Sequence, residues 1–150
     1  MIDITKQACE LFVSALVPQF GVDVYMSHQH DRIDGEHIAI IDAQTATEIE
    51  GEDGQPLIVT KTIEIKFVTE RELAETERFS AILMGNMRLS KAEIDAAVAA
   101  LEFPFNQLNV LRVMAPASES EPQFDNNIVT CVHTVQVMCA TLQIEEESEA

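Results

Sequence analysis

The sequence predicts an α+β domain: a mainly antiparallel sheet of about five strands with helices packed on one face, in the order α-β-β-β-α-α-β-β. Three observations carry this. Residues 57–87, LIVTKTIEIKFVTERELAETERFSAILMGNM, change hydrophobic period from two to about 3.6 within a few residues, as a strand does where it runs into a helix. The strand-like segments come in groups, with turn residues between them. A chain of 150 residues with 47% hydrophobic content is long enough and apolar enough to bury one core.

The elements follow in order. Asp3 is placed to cap a first helix that keeps Ile4, Ala8, Leu11, Phe12, Ala15 and Leu16 on one face, and Pro18 and Gly21 end it. Residues 21–27 alternate as a strand with Val22, Val24 and Met26 on one side. The polar stretch 27–37, SHQHDRIDGEH, holds the turn dipeptide Asp34-Gly35 and reads as a hairpin or loop. Residues 38–68 form a long antiparallel hairpin about the charged turn EGEDGQP. In its second strand Val59, Lys61, Ile63, Ile65 and Phe67 alternate with Thr60, Thr62, Glu64 and Lys66.

At Thr69 the pattern breaks, and Thr69-x-x-Glu72 has the form of a capping box opening a helix with Leu73, Phe79, Ile82, Leu83 and Met87 as its apolar stripe. Gly85-Asn86 loosens that helix. Ser90-x-x-Glu93 is a second capping box, followed by Ile94, Ala97, Val98 and Leu101 at helical spacing, and the helix ends before Pro104. Residues 110–114 read as a short strand, 118–123 as an acidic loop, and 128–142 as a long strand. On that last strand Val129, Cys131, His133, Val135, Val137 and Cys139 oppose a second set that is also partly apolar, which requires a central position or a covered second face. The expected organisation is a single domain over 1–142 and an acidic, flexible C-terminal tail over 143–150.

Charge is the strongest compositional signal: 26 acidic residues against nine basic ones, net −17. Affinity for nucleic-acid phosphates comes from Lys and Arg displacing counterions, so polyanions and anionic lipid are poor partners for this chain. Acidity of this size also serves solubility alone. No apolar run approaches the roughly 18 residues of a membrane span, and the N-terminal MIDITKQACE lacks the pattern of a signal peptide. Three cysteines, an odd number, argue against a disulfide framework and for a reducing cytosol. Cys131 and Cys139, on one strand, lie roughly 26 Å apart at about 3.3 Å per residue and cannot bridge each other.

The local chemistry centres on His28, His30 and His37, with Asp31, Asp34 and Glu36 nearby. His28 and His30 at a strand end share a face, as a metal pair would, but no further Cys or His stands at ligand spacing, and the ordinary reading is a solvated turn. His133, among valines, fits a hydrogen-bonded core histidine. The serines lack a nucleophile setting, the cysteines lack a basic activator, and Gly51 and Gly54 stand among acids that repel phosphate. No residue is therefore assigned as catalytic, cofactor-binding or metal-binding, and no cofactor is expected. The six methionines are expected to fill the core.

The first helix leading into GVDVYMS, the hairpin ending in KTIEIKFV, the helix ERELAETERFSAILMGNM and the closing strand IVTCVHTVQVM together resemble, over residues 3–142, the small phage head–tail connectors, the tail-terminator group above all. The resemblance implies a non-enzymatic virion subunit, made in the host cytoplasm, that assembles with copies of itself as a ring, usually a hexamer, at the neck end of the tail. Its implied partners are tail-tube and neck proteins. It transfers no binding residue to any position here. Two other classes stay open: a small cytoplasmic metal-dependent enzyme using the His28, His30 and Asp31 region, and a stand-alone bacterial binding module.

Overall fold

The alternation from Val59 to Phe67 becomes the middle of a sheet. The computed structural model describes residues 2–18, 20–26, 35–119, 123–125 and 128–144. Their strands are β1 (Ile2–Asp3), β2 (Asp23–Met26), β3 (His37–Glu50), β4 (Pro56–Thr69), β5 (Asn109–Glu119), β6 (Gln123–Asp125), β7 (Ile128–Ala140) and β8 (Gln143–Ile144). The helices are α1 (Thr5–Leu16), α2 (Leu73–Asn86) and α3 (Lys91–Ala99), and a 3-10 turn, Phe105–Gln107, precedes β5.

The fold is α+β, with three helices and a six-stranded sheet in the order β2-β3-β4-β7-β5, β6 pairing with β7. The sheet is mixed rather than wholly antiparallel, because β2 runs parallel to β3 with Asp23 opposite His37. The ten residues between Met26 and His37 make a connection longer than a tight hairpin loop. The long β3–β4 hairpin is present, with Ile40 opposite Ile65 and Glu50 opposite Pro56. Gly54 takes φ +75° at its tip, a conformation that glycine adopts without strain, and Gly51 N–H donates to Gln55 O at 2.8 Å.

One face of this sheet carries the core. Ile38, Ile40, Val59, Ile63, Ile65, Phe67, Val135, Val137 and Cys139 form a cluster with Ala8, Cys9, Phe12 and Val13 of α1, Phe79 and Leu83 of α2, Met87 just beyond it, and Ile94 and Val98 of α3. Phe79 stacks on Phe67 with ring centroids 4.4 Å apart and meets Phe20 at 5.2 Å. The buried stripe of α2 also includes Thr76 and Ser80, polar positions that hydrophobic spacing alone passes over.

On β7 the expected alternation holds, with the odd residues from Val129 to Cys139 buried and the even ones half-buried. Its two-sided apolar character is met by a central position, between β4 and the β5/β6 line. The second face is tempered by its neighbours: Val132 faces Lys66 and Met138 faces Thr60 across the strand pair, so cross-strand polar chains cover part of its apolar surface.

Three local expectations are corrected. Asp3 does not cap α1; it is paired with Gln143 in β1–β8, and Ile4 is the cap residue, so sheet pairing takes precedence over capping. Thr69 does not open a capping box with Glu72; it ends β4 and its hydroxyl is used elsewhere, while Glu72 itself is the α2 cap residue without a side-chain bond. The C-terminal segment is not all tail, because Gln143–Ile144 pair with Ile2–Asp3; residues 145–150 lie outside the described residues. The Ser90/Glu93 capping box is formed in both directions. Of the expected acidic loop, Ser118 and Glu119 lie in β5 and Gln123 in β6, and residues 120–122 lie outside the described residues.

Candidate functional site

Where β4 hands over to α2, Arg71 gathers three distant parts of the chain. Its Nε donates to Glu36 Oε2 and its Nη2 to Glu36 Oε1, both at 2.9 Å, and Nη2 also donates to the carbonyl of Phe20 at 2.8 Å. The Thr69 hydroxyl donates to the same Glu36 carboxylate and accepts from the Arg71 backbone N–H at 3.0 Å. The segment between α1 and β2, the residue before β3 and the end of β4 are thereby tied at one corner of the sheet. Burial by itself raises the Glu36 carboxyl, but the Thr69 and Arg71 hydrogen bonds and the Arg71 charge outweigh it and hold the group below its usual range. The same bonds from Glu36 lead in raising Arg71.

A pocket of about 160 Å3 opens beside this corner, lined by Glu36, His37, Val68, Thr69, Glu70 and Ile128 among others. His37 is almost fully buried there, its Nδ1 2.8 Å from Gly35 O and its ring edge-on to Tyr25 with centroids 6.2 Å apart. The nearby Tyr25 phenol is raised, chiefly by the charge of Asp23, to which it donates at 3.3 Å. Of the acids and histidines that the sequence singles out, His28, His30, Asp31 and Asp34 lie outside the described residues. Glu36 and His37 are described, and Glu36 is committed to Arg71. Among the described residues no group of three His, Cys, Asp or Glu side chains is placed to hold a metal ion.

The second polar cluster is internal. His133 is fully buried on β7, with Nε2 3.0 Å from Ser80 Oγ on α2 and 3.6 Å from Cys131 Sγ. Ser, His and Cys thus meet, but Phe79 packs over the imidazole at 6.4 Å and the cluster lies under α2, where a substrate would have to displace the helix. Its chemistry is that of a buried polar cluster hydrogen-bonded through His133 Nε2, as the sequence suggests for His133.

A third feature is on the surface. β2 pairs with β3 only over residues 37–40, so from residue 41 to the hairpin turn β3 has no strand beside it, among the described residues, on the side away from β4. On the other side of the sheet β5 is also terminal. Ile49 and Leu57, near the hairpin tip, are 50% and 44% exposed, and Phe103, before the 3-10 turn, is 77% exposed. No helix among the described residues is long and apolar enough to cross a membrane.

Nothing in the sequence marks Arg71 or Thr69 as a site residue. Arg71 lies in an acid-rich stretch where its partner is ambiguous, and Glu36 is 35 residues away. Compared with family models and with curated proteins, the sequence matches none.

Proposed function

We propose that the chain is a structural subunit of a phage or prophage virion, a tail terminator or head–tail joining protein that forms a homo-oligomeric ring at the neck end of the tail. The observation that supports this best is the pair of unlike open edges: the outer half of β3 on one side of the sheet and β5 on the other. A strand edge presents unpaired N–H and C=O groups that another chain can continue. Two different edges on one sheet suit head-to-tail association, which closes into a ring when the rotation per subunit divides a full turn. The α+β element order and the projecting hairpin accord with the tail-terminator resemblance, from which the hexamer is taken. The acidic hairpin turn would leave a channel that repels DNA and lets it slide.

Light scattering over a range of protein concentration, alone and with the tail-tube protein of the same phage, tests the reading. A mass several times the 16.7 kDa of the chain is expected, returning to one subunit when Ile49→Lys and Leu57→Lys are combined. A strict monomer at high concentration that also fails to associate with the tube protein overturns it.

A further inference from the structure

Cys9 on α1 and Cys139 near the end of β7 are both buried, and their sulfur atoms are 3.6 Å apart although 130 residues separate them. Cys139 is therefore supplied with a partner from the other end of the chain, not from Cys131 on its own strand. All three cysteines are thiols here. A disulfide holds its sulfurs at about 2.05 Å, so an approach of roughly 1.5 Å converts this contact into a bond.

We propose that Cys9 and Cys139 form an oxidative cross-link site, closed by a small peroxide and reopened by a dithiol. One thiolate attacks the peroxide, forming an S–O bond as the O–O bond breaks and releasing water, with the thiol proton taken up by the leaving oxygen. The second thiol, giving up its proton, attacks the resulting sulfenic sulfur; the S–S bond forms, the S–O bond breaks and a second water leaves. Two thiols lose two electrons and one peroxide gains them. Burial means that the oxidant enters only when α1 lifts locally from the sheet, so closure is slow and set by that opening.

The position of the pair gives the cross-link its effect. It would enclose almost the entire chain between α1 and β7, and long closed loops restrict the unfolded ensemble most. Cys131 has a different environment, with Ser80 Oγ and His133 Nε2 each 3.6 Å from its sulfur, and serves as an internal control.

The intact protein is treated with hydrogen peroxide, quenched, and mapped by non-reducing peptide mass spectrometry, with thermal unfolding recorded before and after. The expected result is a Cys9–Cys139 linked peptide and a midpoint raised on the order of 10 °C, both reversed by dithiothreitol. Cys131→Ser should keep both effects, and Cys139→Ser should lose them. Sulfinic or sulfonic acids at Cys9 and Cys139 without a linked peptide overturn the proposal, as does a cross-link that uses Cys131. The linked peptide is read on the wild-type chain, so the test stands even if a variant folds poorly.

Discussion

Arg71 and Glu36 meet through two parallel hydrogen bonds of 2.9 Å, with the guanidinium of the β4–α2 junction seated squarely on the carboxylate that precedes β3. Their side chains are 32% and 26% exposed, so water screens the pair only in part. Arg71→Ala removes the fork, the bond to Phe20 O and the charge that Glu36 faces; the expected result is a loss of stability, read as a lower urea midpoint. Arg71→Lys keeps the charge but not the planar fork and should recover no more than about half of that. Equal stability of Arg71→Ala and the parent would show that the corner is held by packing alone.

The same pair sets an acid limb. Glu36 titrates lower in the folded chain than its ordinary 4.5. The unfolded chain therefore binds the proton more readily, and the stability contributed by Glu36 is complete above its unfolded value and lost as pH falls through the folded one. Glu36→Gln should be less stable than the parent at neutral pH and lose less between about pH 5 and pH 3. Urea midpoints at several pH values check it; parallel curves for the two proteins would exclude Glu36 as a source of acid sensitivity.

The two capping boxes read in the sequence make a matched comparison. Ser90 accepts from Glu93 N–H and Glu93 reaches back to Ser90, so Ser90→Ala should cost about 1 kcal/mol. Thr69→Ala should also destabilise, but through Glu36 and Arg71. In a double-mutant cycle Thr69→Ala should couple to Glu36→Gln, whereas Ser90→Ala should couple to neither.

Phe79 sits at the meeting of α2, Phe67 and Phe20, and no other buried helix residue makes two described ring contacts with phenylalanines. Truncating it to alanine should cost about 3–5 kcal/mol, with Phe79→Leu well below that. Calorimetry reads the difference; a loss below about 1 kcal/mol would mean that the helix repacks.

Periodicity made most of the fold legible. Val59 to Phe67 and Val129 to Cys139 alternate so regularly that strand and facing side follow from the letters, with central placement one of two readings for the last strand, and Ser90/Glu93 announces α3. What stayed hidden depended on partners far along the chain. Nothing near Thr69 says that a carboxylate from residue 36 will claim its hydroxyl, and nothing near Asp3 says that residue 143 will pair with it. The direction of β2 was equally hidden, because a four-residue strand at a sheet edge offers the same alternation whether it runs parallel or antiparallel. Cys9 and Cys139 belong to the same class, since spacing along a strand excludes a pair within β7 but is silent about a helix that lies across it.

The β1–β8 pairing turns a linear polymer into something close to a circle. Ile2 lies opposite Ile144, Ile4 N–H donates to Leu142 O at 3.0 Å, and Leu142 N–H donates to Thr5 Oγ1 at 3.1 Å. Residues 2–5 and 142–144 are each other's hydrogen-bonding surface, so removing either segment strips both. Deleting residues 1–4 should expose the stretch around Leu142 to rapid amide exchange, and deleting residues 142–150 should do the same at the start of α1. A circular permutant with residues 2 and 144 joined by a short linker and new ends cut in the 51–55 turn should fold, since that cut interrupts only a surface turn.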